Sequence, residues 1–426
     1  MRMRSPILLR VWNIWWILLP AALGTFVRIL YVLKTPFSVR SHDYLAHVDY
    51  VTFVAEHWRM PLAAEGWEFY HPPLYYFLAG AWWKLGSQFG FQRDALIVQL
   101  QWGSTFLSWL LVPLALWIST ELFTTKQRVQ RALLASVIAV IPALVFTGSR
   151  ISNDVLFQSV AVATIGALLH WYRGGTPWAW YLVCILIGVG TVTKLNMLPL
   201  LIMTPVVFLF RSRPWSLTTM KRLGIGAIII VMLSGWLPVL RSQEPQHRSL
   251  IPGPEKLEQS VLLENTLRNF ITFNPLAVWR IPYNNPRGDV TRRHNFLEYL
   301  YRSAFVGEWD FGDALRPISI AMLYLGFVVL LLAVLGLLQA RMLPDQLWFP
   351  LLMITLAFIG GAAAFRFVNT CSCSQDFRYI TPITLPLTAF AVHGASSLPA
   401  YLKPLALGFL WTFVIVLSTF IVLIPA

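Results

Sequence analysis

The chain has 426 residues, of which 57% are hydrophobic and 12% charged, which excludes an ordinary soluble domain and marks a polytopic membrane protein. Lys and Arg number 33 against 19 Asp and Glu, a net charge of +14. The basic residues are scattered through short loops and form no aromatic-interleaved groove, so membrane topology explains them and no nucleic acid partner is expected.

The amino-terminal stretch MRMRSPILLRVWNIWWILLPAALGTFVRILYVL opens on basic residues, but its apolar core is long and lacks a small-residue cleavage signature, so it is expected to stay as a first helix over residues 11–33. Further apolar segments follow at 95–120, 132–148, 155–172, 178–192, 197–210, 223–240, 317–340, 347–367, 380–397 and 404–424. Most approach the ~20 residues needed to cross the hydrocarbon, with 178–192 and 197–210 short. These give about eleven spanning helices in an all-α membrane fold. Segment 72–89 sets the orientation of every later span. If PPLYYFLAGAWWKLG lies on the surface, the loops carrying Lys126, Arg128, Arg131, Arg173, Arg211, Arg213, Lys221, Arg222, Arg341 and Lys403 all face the cytoplasm. An aromatic-rich helix opened by Pro-Pro suits an interfacial position, and a short spanning helix is the alternative.

Three regions are then external. The first, 34–94, holds two juxtamembrane helices near 44–57 and 74–89 within an amino-terminal module over 1–240. The second is the turn 148–154, GSRISND. The third is the loop 241–316, too long to be a mere connector and therefore expected to be functional; the carboxy-terminal helices occupy 317–426. Polar groups cluster outside the first helix, where SHDYLAHVDY places Asp43 between His42 and His47. An ionisable group at the bilayer costs roughly 2.5–3.5 kcal/mol to desolvate, so acids at the mouth of a helical bundle usually line a cavity. Asp49 lies where a solvated helix face is expected. Cys184 sits in an apolar run and Cys371 and Cys373 in a polar loop, and all three are expected as free thiols. No phosphate-cradling glycine loop stands out, which argues against an ATP-driven pump.

Taken in order, an aspartate after the first span, a surface helix, HPPLYY opening a second one, SRISND after the third span, RSAFVGEWDFGDA in the long loop and FRYITPITLP near the end resemble the GT-C class of integral-membrane glycosyltransferases. The nearest resemblance is to protein O-mannosyltransferases and the lipid A aminoarabinose transferase, and it covers most of the chain. It implies a GT-C fold and transfer of a sugar from a polyprenyl phosphate carrier, with inversion, to a lipid, glycan or protein acceptor at the outer face of a bacterial inner membrane. Such a displacement needs a base for the acceptor hydroxyl and a stabiliser for the departing phosphate.

The resemblance implies that Asp43 is the general base; capping the following helix is its ordinary role. His71 stands where the aminoarabinose transferases carry a phosphate-binding lysine, and a buried loop histidine is the alternative. Arg378, followed by Tyr379, suits a phosphate because guanidinium stays charged and grips oxygens in a fork, against snorkelling at the interface. Asp154 resembles part of an acidic motif that binds a divalent metal in oligosaccharyltransferases, but its neighbour is Asn153. With Asp43 it would hold Mg or Mn; otherwise it positions an acceptor, pairs with Arg150 or caps a helix. Glu308 is a third external acid, near the cavity or merely solvated. His47 is expected to hydrogen-bond beside Asp43, and Lys194 to meet phosphate or snorkel. A transporter or flippase of a lipid-linked substrate is the alternative function, though paired halves with broken helices are not evident.

Overall fold

Where water is absent, backbone groups must be satisfied within the segment, so long Leu, Ile, Val, Phe and Ala runs fold as helices. The computed structural model describes residues 6–41, 43–244, 261–288, 292–340 and 346–425. Helix α1 (Pro6–Lys34) is followed by α2 (Tyr44–His57) and α3 (Leu74–Gln88). Then come α4 (Arg93–Trp109), α5 (Leu111–Leu122), α6 (Arg128–Val140), α7 (Pro142–Gly148), α8 (Asp154–Gly174), α9 (Pro177–Thr191), α10 (Leu198–Arg211), α11 (Leu217–Ser234) and α12 (Trp236–Ser242). The long connection holds α13 (Leu267–Ile271), α14 (Pro275–Arg280) and α15 (Phe296–Val306). Helices α16 (Gly312–Leu338), α17 (Trp348–Val368), α18 (Thr384–Ser396) and α19 (Lys403–Leu423) complete the bundle.

Among the described residues, 7 helices are long and apolar enough to cross a membrane, with α4 and α5 taken as one stretch, and 8 if the bent pair α6 and α7 is one span. Pro142 explains the 49° bend, because it donates no N–H and Ile141 before it is extended. The other three expected spans fall on shorter helices, α9, α10 and α18, of 15, 14 and 13 residues. Length and composition therefore establish a polytopic membrane protein without reaching eleven spans. Helix α3 has 15 residues, about 22 Å, and is not among the span candidates.

Helix α6 lies at the centre, buried from Gln130 to Val140, with α1, α5, α18 and α19 around it. Arg28 of α1 is buried there, and its Nε donates to Ser108 Oγ at 2.9 Å while Nη1 reaches the Ala139 carbonyl at 2.5 Å. A cation within a span persists when carbonyls surround it in this way. Helices α16 and α18 pack backbone to backbone at Gly336 and Gly394, where an added Cβ would strike the Phe390 and Leu332 carbonyl oxygens. A second, smaller core built from Val48, Tyr50, Val54, Tyr76, Ile97 and Ile151 fixes α2 and α3 on α4 and the start of α8.

One expectation fails at the cysteines. Cys371 and Cys373 form a disulfide rather than two free thiols, and only Cys184, buried, remains free among the described residues. Extended backbone at Cys371, followed by a tight turn over Ser372–Gln375, brings the two Cα atoms to 5.2 Å, within disulfide reach.

Candidate active site

Residues 43–71, the turn at 150–154 with Lys194, and the pair of segments around 308 and 376 meet at one end of the bundle. Asp43 stands at the amino end of α2 with φ 58° and ψ 13°, a left-handed conformation that Asp tolerates better than most residues. Its carbonyl accepts from His47 N at 3.1 Å, yet its side chain makes no capping hydrogen bond. The ordinary capping role is thus not the one its carboxylate performs. Desolvation by the surrounding protein and then the Glu68 carboxylate raise its pKa above the usual carboxylate range, against the lowering influence of Arg378, Trp67 and His71.

Glu68 is buried in the loop below, with its carboxylate 2.7 Å from His71 Nε2. Burial opposes its ionisation, but His71 outweighs that and the pKa falls to about 2. The nitrogen expected to meet a phosphate is therefore already held by Glu68. His47 is buried, with Nδ1 2.7 Å from the Tyr76 hydroxyl and its ring stacked over those of His71 and Tyr76. Burial pushes its pKa down to about 4, so it is a neutral hydrogen-bonding support beneath the loop. His42 lies outside the described residues. Asp49 lies on the solvated face of α2, 3.5 Å from Arg93.

Asp154 opens α8 and is 2% exposed, with its carboxylate paired to the Lys194 ammonium and receiving Ser152 Oγ at 3.3 Å. Its partner is Lys194 rather than Arg150, and Lys194 is buried in the cluster instead of snorkelling. The same ammonium lies 5.2 Å above the Tyr379 ring. Arg378 Nη2 donates to the Tyr379 hydroxyl at 2.9 Å, and its Nε is 3.5 Å from Asp376 Oδ2. Arg378 acts electrostatically on Asp43, Glu68, Asp154 and Glu308, so it is the hub of the cluster, not an interfacial snorkel. Glu308 is buried as well, accepting from the Tyr299 hydroxyl. Burial and the nearby Asp376 carboxylate raise its pKa, which overturns the solvated-loop alternative.

Glu68 and Asp376 were not singled out from the sequence. Each had a local signal: Glu68 precedes His71 by one helical turn in WEFYH, and Asp376 precedes Arg378 in QDFRY. As for a divalent metal, among the described residues no three His, Cys, Asp or Glu side chains converge as ligands. Lys194 already neutralises Asp154 where an ion would have to bind, so Asp43 and Asp154 do not fit one.

Beside this cluster opens a mostly apolar cavity of about 510 Å³, lined by Tyr70, Pro72, Leu195, Leu198, Ile230 and Leu237 among others. Tyr70 and Pro72 flank His71, and Leu195 follows Lys194, so backbone segments of the charged cluster also contribute to the cavity wall.

No protein-family model matches the sequence, and no curated protein does. Solved structures do match. ArnT, a lipid A aminoarabinose transferase, from Cupriavidus metallidurans superposes with a TM-score of 0.53 at 14% identity, over 90% of this chain and 60% of that one. Its undecaprenyl phosphate complex gives 0.55 at 13%, over 92% and 62%. The oligosaccharyltransferase of Archaeoglobus fulgidus in complex with Zn and sulfate gives 0.55 at 12%, over 96% and 53%. Both are GT-C glycosyltransferases, and the fold seen here is that of the GT-C class. The chain spans about three fifths of the length of ArnT and about half that of the oligosaccharyltransferase.

Proposed function

We propose that this protein is a glycosyltransferase that moves a sugar from a polyprenyl phosphate donor to an acceptor hydroxyl at the outer face of the membrane, with inversion. One observation carries the reading: the Asp43 carboxylate, with its raised pKa, lies within the electrostatic reach of Arg378, which also acts on the buried Asp154–Lys194 pair, and residues next to this cluster in sequence line an apolar cavity of about 510 Å³. The polyprenyl chain occupies the cavity beside Tyr70 and Leu198. Its phosphate sits against Arg378 and Lys194, with Tyr379 beneath both cations. The acceptor oxygen attacks the anomeric carbon as Asp43 takes its proton, and the bond from that carbon to the phosphate oxygen breaks. The electron pair leaves on the phosphate, where Arg378 stabilises the charge as it develops. Asp154 holds Lys194 in place, while Glu308 and Asp376 orient Arg378 and face the sugar.

Two findings support this assignment. ArnT has been crystallised with undecaprenyl phosphate, a lipid of the class the cavity and cations suit. The Cys371–Cys373 disulfide lies five residues from Arg378, which favours an oxidising compartment for this end of the bundle. The test is release of polyprenyl phosphate by the purified protein in nanodiscs supplied with a polyprenyl phosphate sugar and an acceptor extract. Movement of the intact donor between leaflets without cleavage would instead establish a flippase.

A further inference from the structure

The connection between α12 and α15 carries an apolar face that the proposed reaction leaves without a role. In α13 and α14, Leu267 (76%), Ile271 (63%), Leu276 (74%) and Trp279 (64%) are exposed, an unusual display for a polar loop. Arg268 and Arg280 stand beside them, both exposed, and residues 265–281 contain no Asp or Glu.

Depth follows from how α14 lies on α16. Arg316 Nη2 donates to the Arg280 carbonyl at 2.6 Å, the Tyr324 hydroxyl donates to the Pro275 carbonyl at 3.2 Å, and the Phe273 and Phe327 rings stack at 6.1 Å. Helix α14 therefore runs antiparallel along the first turns of a spanning helix, and Phe327 lies about 16 Å down the axis from Arg316. Helix α16 has 27 residues, about 40 Å, against a hydrocarbon layer of about 30 Å, so only its first turns project beyond that layer. The Pro275 end of α14 falls below that level.

Around Pro275 several backbone groups find partners within the protein. Asn274 N donates to Glu298 Oε1 at 2.9 Å, Leu276 N to Asn274 Oδ1 at 3.1 Å and Ala277 N to the Asn274 carbonyl at 3.0 Å, while Pro275 has no N–H and its carbonyl is taken by Tyr324. Partners supplied from within the chain lower the cost of placing these groups beside lipid. The apolar face is continuous with the lipid-facing side of α16, where Val328, Leu331 and Val334 are exposed.

We propose that α13 and α14 form a wedge that docks on an anionic lipid surface. Leu267, Ile271, Leu276 and Trp279 enter the leaflet on the side of the active site, and Arg268 and Arg280 meet its anionic headgroups. The wedge ties the loop bearing Glu308 to the membrane through Glu298, which holds Asn274 from α15.

The test uses the full chain in nanodiscs, spin-labelled at Leu276→Cys, at Trp279→Cys, or at Asp313→Cys as a control whose side chain is 99% exposed on the first turn of α16. Labels at 276 and 279 are expected to relax several-fold more with oxygen than with a water-soluble nickel chelate, and the label at 313 the reverse. Adding phosphatidylglycerol to phosphatidylcholine should shift 276 further toward oxygen, and Arg268→Gln with Arg280→Gln should remove that shift. Chelate access at 276 equal to that at 313, or no response to phosphatidylglycerol, overturns the proposal. Shielding of 276 from both reagents also overturns it, since a protein partner would then cover the face.

Discussion

Asp43 and Asp154 both begin helices at the same end of the bundle, yet the protein holds them in opposite states. Asp154 is buried and neutralised by Lys194, while Asp43 is exposed, uncapped, left-handed in its backbone, and without an ion pair among the described residues. A paired, buried carboxylate contributes a fixed charge; it is poorly placed to take and release a proton. A solvent-reaching carboxylate raised by desolvation and then by Glu68 is placed to do so. Under the proposed reaction the difference assigns Asp154 to the scaffold and Asp43 to the chemistry, so two aspartates alike in sequence setting take different parts.

The largest expected effect breaks the buried side of this comparison. Asp154→Asn leaves the Lys194 ammonium buried without its counter-charge and should destabilise the protein by roughly 3–5 kcal/mol, read as thermal or denaturant stability in nanodiscs. Asp154→Leu with Lys194→Met removes both charges and should recover most of the loss. If Asp154→Asn keeps full stability but abolishes transfer, Asp154 belongs with Asp43 in the chemistry and the contrast fails.

Next comes the open side. Asp43→Asn is the informative change, since Asn accepts a left-handed backbone as readily as Asp and leaves the start of α2 undisturbed. Turnover should fall about 100-fold or more with donor binding and stability retained. Near-normal turnover removes Asp43 as the base and turns attention to Glu308.

Arg378 tests the part between them. Arg378→Ala should weaken binding of the polyprenyl phosphate sugar by about 1.5–3 kcal/mol, and Arg378→Lys should restore only part of it, because an ammonium cannot reproduce the fork. Titration of each purified variant, with stability measured alongside, separates donor binding from folding. Unchanged affinity in Arg378→Ala would move the phosphate to Lys194.

Legibility in the sequence tracks physical range. Apolar length revealed the spans of α1, α8, α16, α17 and α19, because each is decided within its own segment. The bend at Pro142 and the shortness of α18 depend on how neighbours pack, so the same windows read them as straight, full spans. Asp43, Asp154, Arg378 and Tyr379 could be picked out by position, and the structure brings them to one cluster. Their pairings could not: Lys194, itself picked out by position, reaches Asp154 across 40 positions, and no local pattern encodes that contact. The His71–Glu68 pair and the Cys371–Cys373 disulfide are local and readable, and are missed when each residue is weighed alone.

The smallest expected effect concerns how Glu68 tunes Asp43. The proposed base works when ionised, so kcat/KM should fall as pH drops through the raised pKa of Asp43. Glu68→Gln removes a nearby negative charge, which makes the Asp43 carboxylate easier to ionise and should move this acid limb to lower pH. The same change removes the partner that holds the His71 ring beside Asp43, so the net displacement should be at most about one pH unit, or ~1.4 kcal/mol. Stability carries its own signature: with a folded pKa near 2, Glu68 contributes stability above its ordinary value of 4.5 that is lost as pH falls from there toward 2, and Glu68→Gln should lack that loss. Profiles of kcat/KM and of thermal stability against pH, measured on both proteins, separate the two. An acid limb that stays in place or moves to higher pH would show that Glu68 serves only to hold His71, leaving Asp43 raised by its surroundings alone.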